Sequence, residues 1–230
     1  SFPINEWNSS ITIALVFLNI LRALNGLLIN IASIDSGVIK RMHFFASSNL
    51  VTVIDTDPQM SSHDWIVESD DPLLQKVKTF HISSEKEIAH FISETDSDIV
   101  CLDMEGNLYN SMRFCLAIAD LVVVPCRPSR DDLVGLAWVK KLSEAAFSEH
   151  PDSNAKVVAL MNGIEPGSDV FFHIKEQITN DGMEVFNNFL SQSIEIAESN
   201  INRVSVISFL GESSKQMLKI GQEIELFLKR

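Results

Sequence analysis

The 230-residue chain predicts one α/β domain built on a mostly parallel sheet with helices on both faces. Three observations carry this. The strand candidates are uniformly apolar rather than alternating, as in Ile99-Val-Cys-Leu102 and Leu121-Val-Val-Val124, the pattern of strands buried on both faces. Strand and helix patterns follow one another along nearly the whole length. No repeat or low-complexity tract divides the chain, and 46% hydrophobic residues suffice for a single core spanning 1–230.

The elements follow in order. Ile11–Val16 reads as a buried strand, and Leu18–Ile34, with Leu24, Leu27, Leu28 and Ile31 at helical spacing, as a helix stopped by Asp35-Ser36-Gly37. Ile11–Ile34 approaches membrane-span length, but Asn19, Arg22, Asn25 and Asn30 interrupt it. A central Arg alone costs about 2.5–3.5 kcal/mol on insertion, so no membrane span is expected. Val38–Asn49 has no clean period. Val51–Ile54 is a strand: five of the six residues from Val51 to Thr56 are β-branched. Pro58 fixes φ and has no N–H to donate, so the strand must stop there.

Glu68–Pro72 is a loop, and Val77–Ile82 a short strand. Ser84 with Glu87 has the form of a capping box and opens a helix carrying Ile88, Phe91 and Ile92 on one face. Thr95–Asp98 turns the chain into the strand Ile99–Leu102; Tyr109–Ala119 is a helix, Leu121–Pro125 a strand, Asp131–Ser148 a long helix and Lys156–Met161 a strand. Beyond these, Ser168–Thr179 predicts a helix, Val185–Leu190 a strand or extended segment, Val204–Ser208 a strand and Ser213–Leu228 a closing helix. Crossovers between parallel strands are expected to be right-handed.

Composition narrows the function. A net charge of −13 excludes nucleic-acid binding through overall charge, so any DNA contact needs a local basic patch. The three cysteines, Cys101, Cys115 and Cys126, are odd in number and form no C-x-x-C, which argues against a disulfide framework and a zinc site. A reducing, cytoplasmic compartment is expected. The six histidines show no metal-ligand spacing, and neither a G-x-S-x-G elbow nor a G-x-G-x-x-G fingerprint occurs.

Four stretches carry chemistry. In Val51-Thr-Val-Ile-Asp55-Thr-Asp57-Pro58-Gln59, two acids stand at the end of a buried strand, where open α/β sheets place ligands; equally, they could cap the next helix. In Ile99-Val-Cys-Leu-Asp103-Met-Glu105-Gly106, an apolar strand runs into Asp103, a hard oxygen ligand of the kind Mg²⁺ prefers. In Ala119-Asp-Leu-Val-Val-Val-Pro125-Cys-Arg-Pro128-Ser129-Arg-Asp-Asp132-Leu, a strand leaves through two prolines, and Ser129 to Asp132 can cap the long helix that follows. In Val157-Val-Ala-Leu-Met-Asn162-Gly163, an Asn past a strand end can donate and accept at a base edge, or simply form an Asn-Gly turn.

These stretches, in this order and with helix-length spacers, resemble the ParA/MinD family of deviant Walker A P-loop ATPases from Leu50 to about Gly163. The resemblance implies a P-loop NTPase-like fold and an ATP-dependent dimerising switch in plasmid or chromosome partition. It implies Mg²⁺ held by Asp55 and Asp103, Asp57 as the catalytic residue, and Asn162 on the adenine of ATP. It further implies a homodimer, a ParB-like centromere-binding partner and non-specific DNA as a possible ligand.

The chain departs from the family where the first strand should lead into K-G-G-x-G-K-T, a loop whose N–H groups and lysines hold phosphate. Phe17-Leu-Asn-Ile-Leu-Arg-Ala-Leu-Asn-Gly26 has one glycine, no lysine and no threonine. Two accounts of residues 17–49 stand open: a pseudo-ATPase that has lost the phosphate site, or a stretch read out of frame. Reading the coding DNA in the other two frames between Ile11 and Leu50 separates them. As written, the sequence predicts weak or absent nucleotide binding. The rival to an ATPase is a non-catalytic protein-interaction module on the same fold.

Overall fold

The computed structural model describes residues 11–17, 50–105, 109–165 and 167–228. In chain order these form β1 (Ile11–Phe17), β2 (Val51–Asp55), α1 (Ser61–Val67), β3 (Lys78–His81), α2 (Glu85–Glu94), β4 (Ile99–Glu105), α3 (Tyr109–Ile118), β5 (Leu121–Cys126), α4 (Arg130–Glu149), β6 (Lys156–Ile164), α5 (Asp169–Asn180), β7 (Glu184–Val185), β8 (Leu190–Ser191), α6 (Ile194–Asn202) and α7 (Glu212–Leu228). The expected helix at Leu18–Ile34 and the Asp35-Ser36-Gly37 turn lie outside the described residues.

The strands join in the order β3-β2-β4-β1-β5-β6-β7, with β8 also on β6, and every pairing among the described residues is parallel. Successive side chains of a strand point to opposite faces, and here both faces are covered. Val51, Val53, Ile99, Cys101, Leu121 and Val123 pack with Trp65 and Ile66 of α1 and with Met217, Ile220 and Ile224 of α7. The intervening Ile54, Val100, Leu102, Val122 and Val124 pack with Ile88 and Ile92 of α2, Leu116 of α3 and Val139 of α4. This two-sided burial is why the strands carry no polar face. The three cysteines are free and buried, as small hydrophobes. Among the described residues no helix is long and apolar enough to cross a membrane.

Several local expectations change. Val204–Ser208 is not a strand: Val206–Phe209 is a short 3-10 turn. Its β-branched pattern is overridden because Ser205 accepts a hydrogen bond from the Ile207 N–H through its own side chain. Val185–Leu190 resolves into two two-residue strands, β7 and β8, with a bend between. Ser84 stands at the head of α2, but its side chain makes no capping hydrogen bond. Strand β6 does not stop at Met161: it continues through Asn162 to Ile164. Helix α6 was not foreseen as a helix at all.

Candidate functional site

Strands β2 and β4 are adjacent and in register, so Asp55 lies directly opposite Asp103, which on its other side lies opposite Leu15 of β1. After Asp55 the chain must turn back to start α1. Met60, in the left-handed region at φ 52°, makes that turn, with its N–H on the Asp57 carbonyl at 2.9 Å. The turn wraps the Asp55 carboxylate in backbone donors: Asp57 N–H on Oδ1 at 2.9 Å, and Ser62 and His63 N–H on Oδ2 at 2.9 and 3.1 Å. Asp55 therefore does cap the following helix, satisfying first-turn N–H groups that have no partner within it. Asp57 accepts the Gln59 N–H at 2.8 Å. Thr56 holds the neighbouring strand, donating its N–H and hydroxyl to the Asp103 carbonyl at 2.9 and 3.0 Å. The Ser62 hydroxyl donates to Asp103 Oδ2.

The structure thus brings Asp55, Asp57 and Asp103 into one corner, exposed by only 0%, 3% and 2%. Among the described residues no ion pair neutralises any of them. Burial pushes the Asp103 carboxyl up to about 7, opposed by the Ser62 hydroxyl and reinforced by the negative charges of Asp55 and Asp57. Burial also raises Asp55, against the three backbone N–H groups that favour its charged form. An acid corner with no ion-pair partner among the described residues favours uptake of a proton or a cation. Among the described residues no group of three or more His, Cys, Asp or Glu is arranged to hold a metal ion by itself; Mg²⁺ needs only one or two carboxylates and otherwise takes water or phosphate oxygens. Asp103 Oδ1 and Asp57 Oδ2 receive no hydrogen bond from a described residue, whereas Asp55 is already occupied as a cap.

Asn162 lies on the far side of β1 from this corner, three strands from β4 in the sheet order. It sits within β6, opposite Leu190 of β8, at an irregularity where Gly163 takes φ 68°. That conformation suits glycine, whose missing side chain removes the steric cost. Asn162 is buried at 4% exposure and lines a cleft of about 610 Å³ with Arg127, Ser193, Asn200 and Ile201.

The corner between β5 and α4 supplies the cleft's cation. Ser129 accepts the Asp132 N–H at 3.1 Å, so the expected cap is formed. Asp132 in turn binds the Arg127 N–H at 2.8 Å and its Nε at 3.4 Å, holding the guanidinium at the cleft. Sequence reasoning passed over Arg127, Ser62 and Asn200. Only Ser62 left a trace: its place in the first turn of a helix starting just after the two acids.

No family model matches the chain, and no curated protein matches it. Solved structures do, along nearly their whole length. The MinD cell division protein of Aquifex aeolicus superposes with a TM-score of 0.68 at 11% identity, over 94% of this chain and 97% of that one. A ParA family ATPase from Chlorobium tepidum gives 0.62 at 12%, over 94% and 99%. A complex of a Cyanothece McdA variant with ATP gives 0.68 at 11%, over 96% and 97%. At such identities the likeness is one of fold: this chain has the fold of the ParA/MinD P-loop ATPases, as the four sequence stretches predict.

Proposed function

We propose that the chain is a partition-type ATPase-fold switch that positions plasmid or chromosomal DNA in the cytoplasm, with a metal-and-nucleotide site whose phosphate grip is impaired. The observation that carries this is the convergence of three buried acids, without a described counter-charge, at the ends of β2 and β4. Support comes from Asn162, buried in the wall of a cleft toward the C-terminal end of β6, and from the likeness to ATPase folds, one with ATP bound.

In this reading Asp103, with Asp55 beside it, would hold Mg²⁺. Bound there, the metal would neutralise phosphate charge. Asp57 accepts a hydrogen bond from the attacking water. Asn162 donates to and accepts from the adenine edge, and Arg127 adds positive charge at that cleft. Asp55 keeps α1 in place. A homodimer and a ParB-like partner complete the switch. The missing lysine-rich loop weakens its affinity for triphosphate.

Calorimetric titration with ATP and Mg²⁺ tests the reading. Weak binding is expected, with Kd near the millimolar range, and Asn162→Ala should weaken it roughly tenfold further, the loss of a hydrogen-bonded pair. Micromolar affinity would contradict the impaired grip. Affinity unchanged by Asn162→Ala would remove the adenine role. The second reading, a non-catalytic interaction module, is favoured by the absence of K-G-G-x-G-K-T. It gains if partition activity survives substitution of Asp103.

A further inference from the structure

The segment that follows the acid corner is fastened to a segment about 135 residues later. Trp65 of α1 is buried, and its indole N–H donates to the Asn200 carbonyl at 3.0 Å. The Ser69 hydroxyl donates to the Arg203 carbonyl, and Glu68 pairs with the Arg203 guanidinium. Asp71 is the centre of this attachment. It is buried, and its Oδ2 accepts the Ser205 N–H at 2.7 Å and the Ser208 hydroxyl at 3.2 Å. Its Oδ1 accepts the Leu73 N–H at 2.8 Å, and its own N–H is held by Ser69 at 3.0 Å.

Both ends of this fastening reach the candidate site. At one end, the first turn of α1 gives the Ser62 and His63 N–H groups to Asp55 and the Ser62 hydroxyl to Asp103. At the other, Asn200 and Ile201 of α6 line the Asn162 cleft. Asn200 belongs to both, with its carbonyl on Trp65 and the residue itself in the cleft wall. Backbone carbonyls and a buried carboxylate make the links, so the geometry is set by main chain rather than by mobile surface pairs. Charge-assisted bonds to a buried carboxylate are the strong members of such a network.

We propose that Asp71 is a positioning residue that joins α1 to the Asn200–Ser208 segment, so that the acid corner and the wall of the Asn162 cleft open and close as one unit. Occupancy of the cleft is thereby felt at Asp55 and Asp103, a step that rests on the nucleotide reading above. The link itself exists without ligand. Physical contact alone does not establish coupling; a shared opening equilibrium does.

Amide hydrogen exchange on the unliganded full chain tests the link. In Asp71→Ala, the Ser205 amide should lose protection by about tenfold or more, the loss of a hydrogen bond to a charged group. The Ser62 and His63 amides should fall by a similar factor, while amides of β5 such as Val123 stay unchanged. Loss at Ser205 with Ser62 and His63 unaffected overturns the proposal, because Asp71 is then only a local brace. If Asp71→Ala does not fold, Trp65→Phe removes a single indole N–H from the same link and reads out on the same amides. Adding ATP to the native chain should raise protection at Ser62 and His63 together with Asn200. Absence of any ATP effect counts against the nucleotide reading, and the unliganded comparison still decides the link.

Discussion

At the scale of single residues, Asp103 is a buried carboxyl beside two other acids. Its carboxyl is raised from an ordinary 3.8 to about 7, chiefly by burial. A folded-state pKa above the unfolded value means that the native state holds a proton the unfolded chain has released. The stability this group contributes is therefore full below about pH 4 and is lost as pH rises through 7. The slope is on the order of 4 kcal/mol over that interval, at about 1.36 kcal/mol per pH unit, and the raised Asp55 adds to it in the same direction. Asp103→Asn should flatten the profile, so that urea midpoints at pH 5 and pH 8 differ less than in the native chain. An equal pH slope in both proteins would rule out Asp103 as the source. Met60 offers a second residue-scale check. It adopts φ 52° without being glycine, a conformation that costs a side chain about 1–2 kcal/mol. Met60→Gly relieves this but frees the unfolded chain, so thermal melts should show a gain of about 0.5–1 kcal/mol.

At the scale of elements, the two caps separate what sequence pattern promises from what geometry delivers. Ser129 caps α4 through the Asp132 N–H, and Ser129→Ala should cost about 1 kcal/mol in chemical denaturation. Ser84 has the more suggestive sequence context, yet its side chain makes no cap, so Ser84→Ala should lie within about 0.5 kcal/mol of native. A loss of 1 kcal/mol or more at Ser84 would show a cap formed in solution. The same distinction explains which elements were legible. Strand β3, Lys78–His81, is a largely exposed edge strand, whereas β2, β4, β5 and β6 announce themselves because burial on both faces demands continuous apolar runs. The tail does not. Helix α6 carries Ile194, Ile196 and Ile201 with Ile194 and Ile201 largely exposed, so no apolar stripe faces the core to reveal its period. Val204–Ser208 looks like a strand locally, and only the distant Asp71 and the Ser205 side chain convert it into a turn. Long-range hydrogen bonds leave no local pattern.

At the scale of the whole molecule, strand order does what no single motif does. Strands β2 and β4 come together although 43 residues separate Val51–Asp55 from Ile99–Glu105 along the chain, and register sets Asp55 against Asp103. The two stretches were recognisable as strands ending in acids, and their fold resemblance was recognisable from their order. That the acids share one corner with no ion-pair partner among the described residues, and that Asp55 caps α1, required the turn at Met60. The Asn162 cleft was half legible: the Asn was visible, but its walls come from α6 and from Arg127, positioned by Asp132. The central claim is that this corner takes a divalent cation as the metal end of a nucleotide switch. Titration of Mn²⁺, as a paramagnetic substitute for Mg²⁺, followed by electron paramagnetic resonance at pH 8, tests it most directly. The native chain should bind one Mn²⁺ per molecule, more tightly at pH 8 than at pH 6, and Asp103→Asn should bind it at least about tenfold more weakly, the loss of one carboxylate ligand. Binding of equal strength in the two proteins, or none in the native chain, would contradict it.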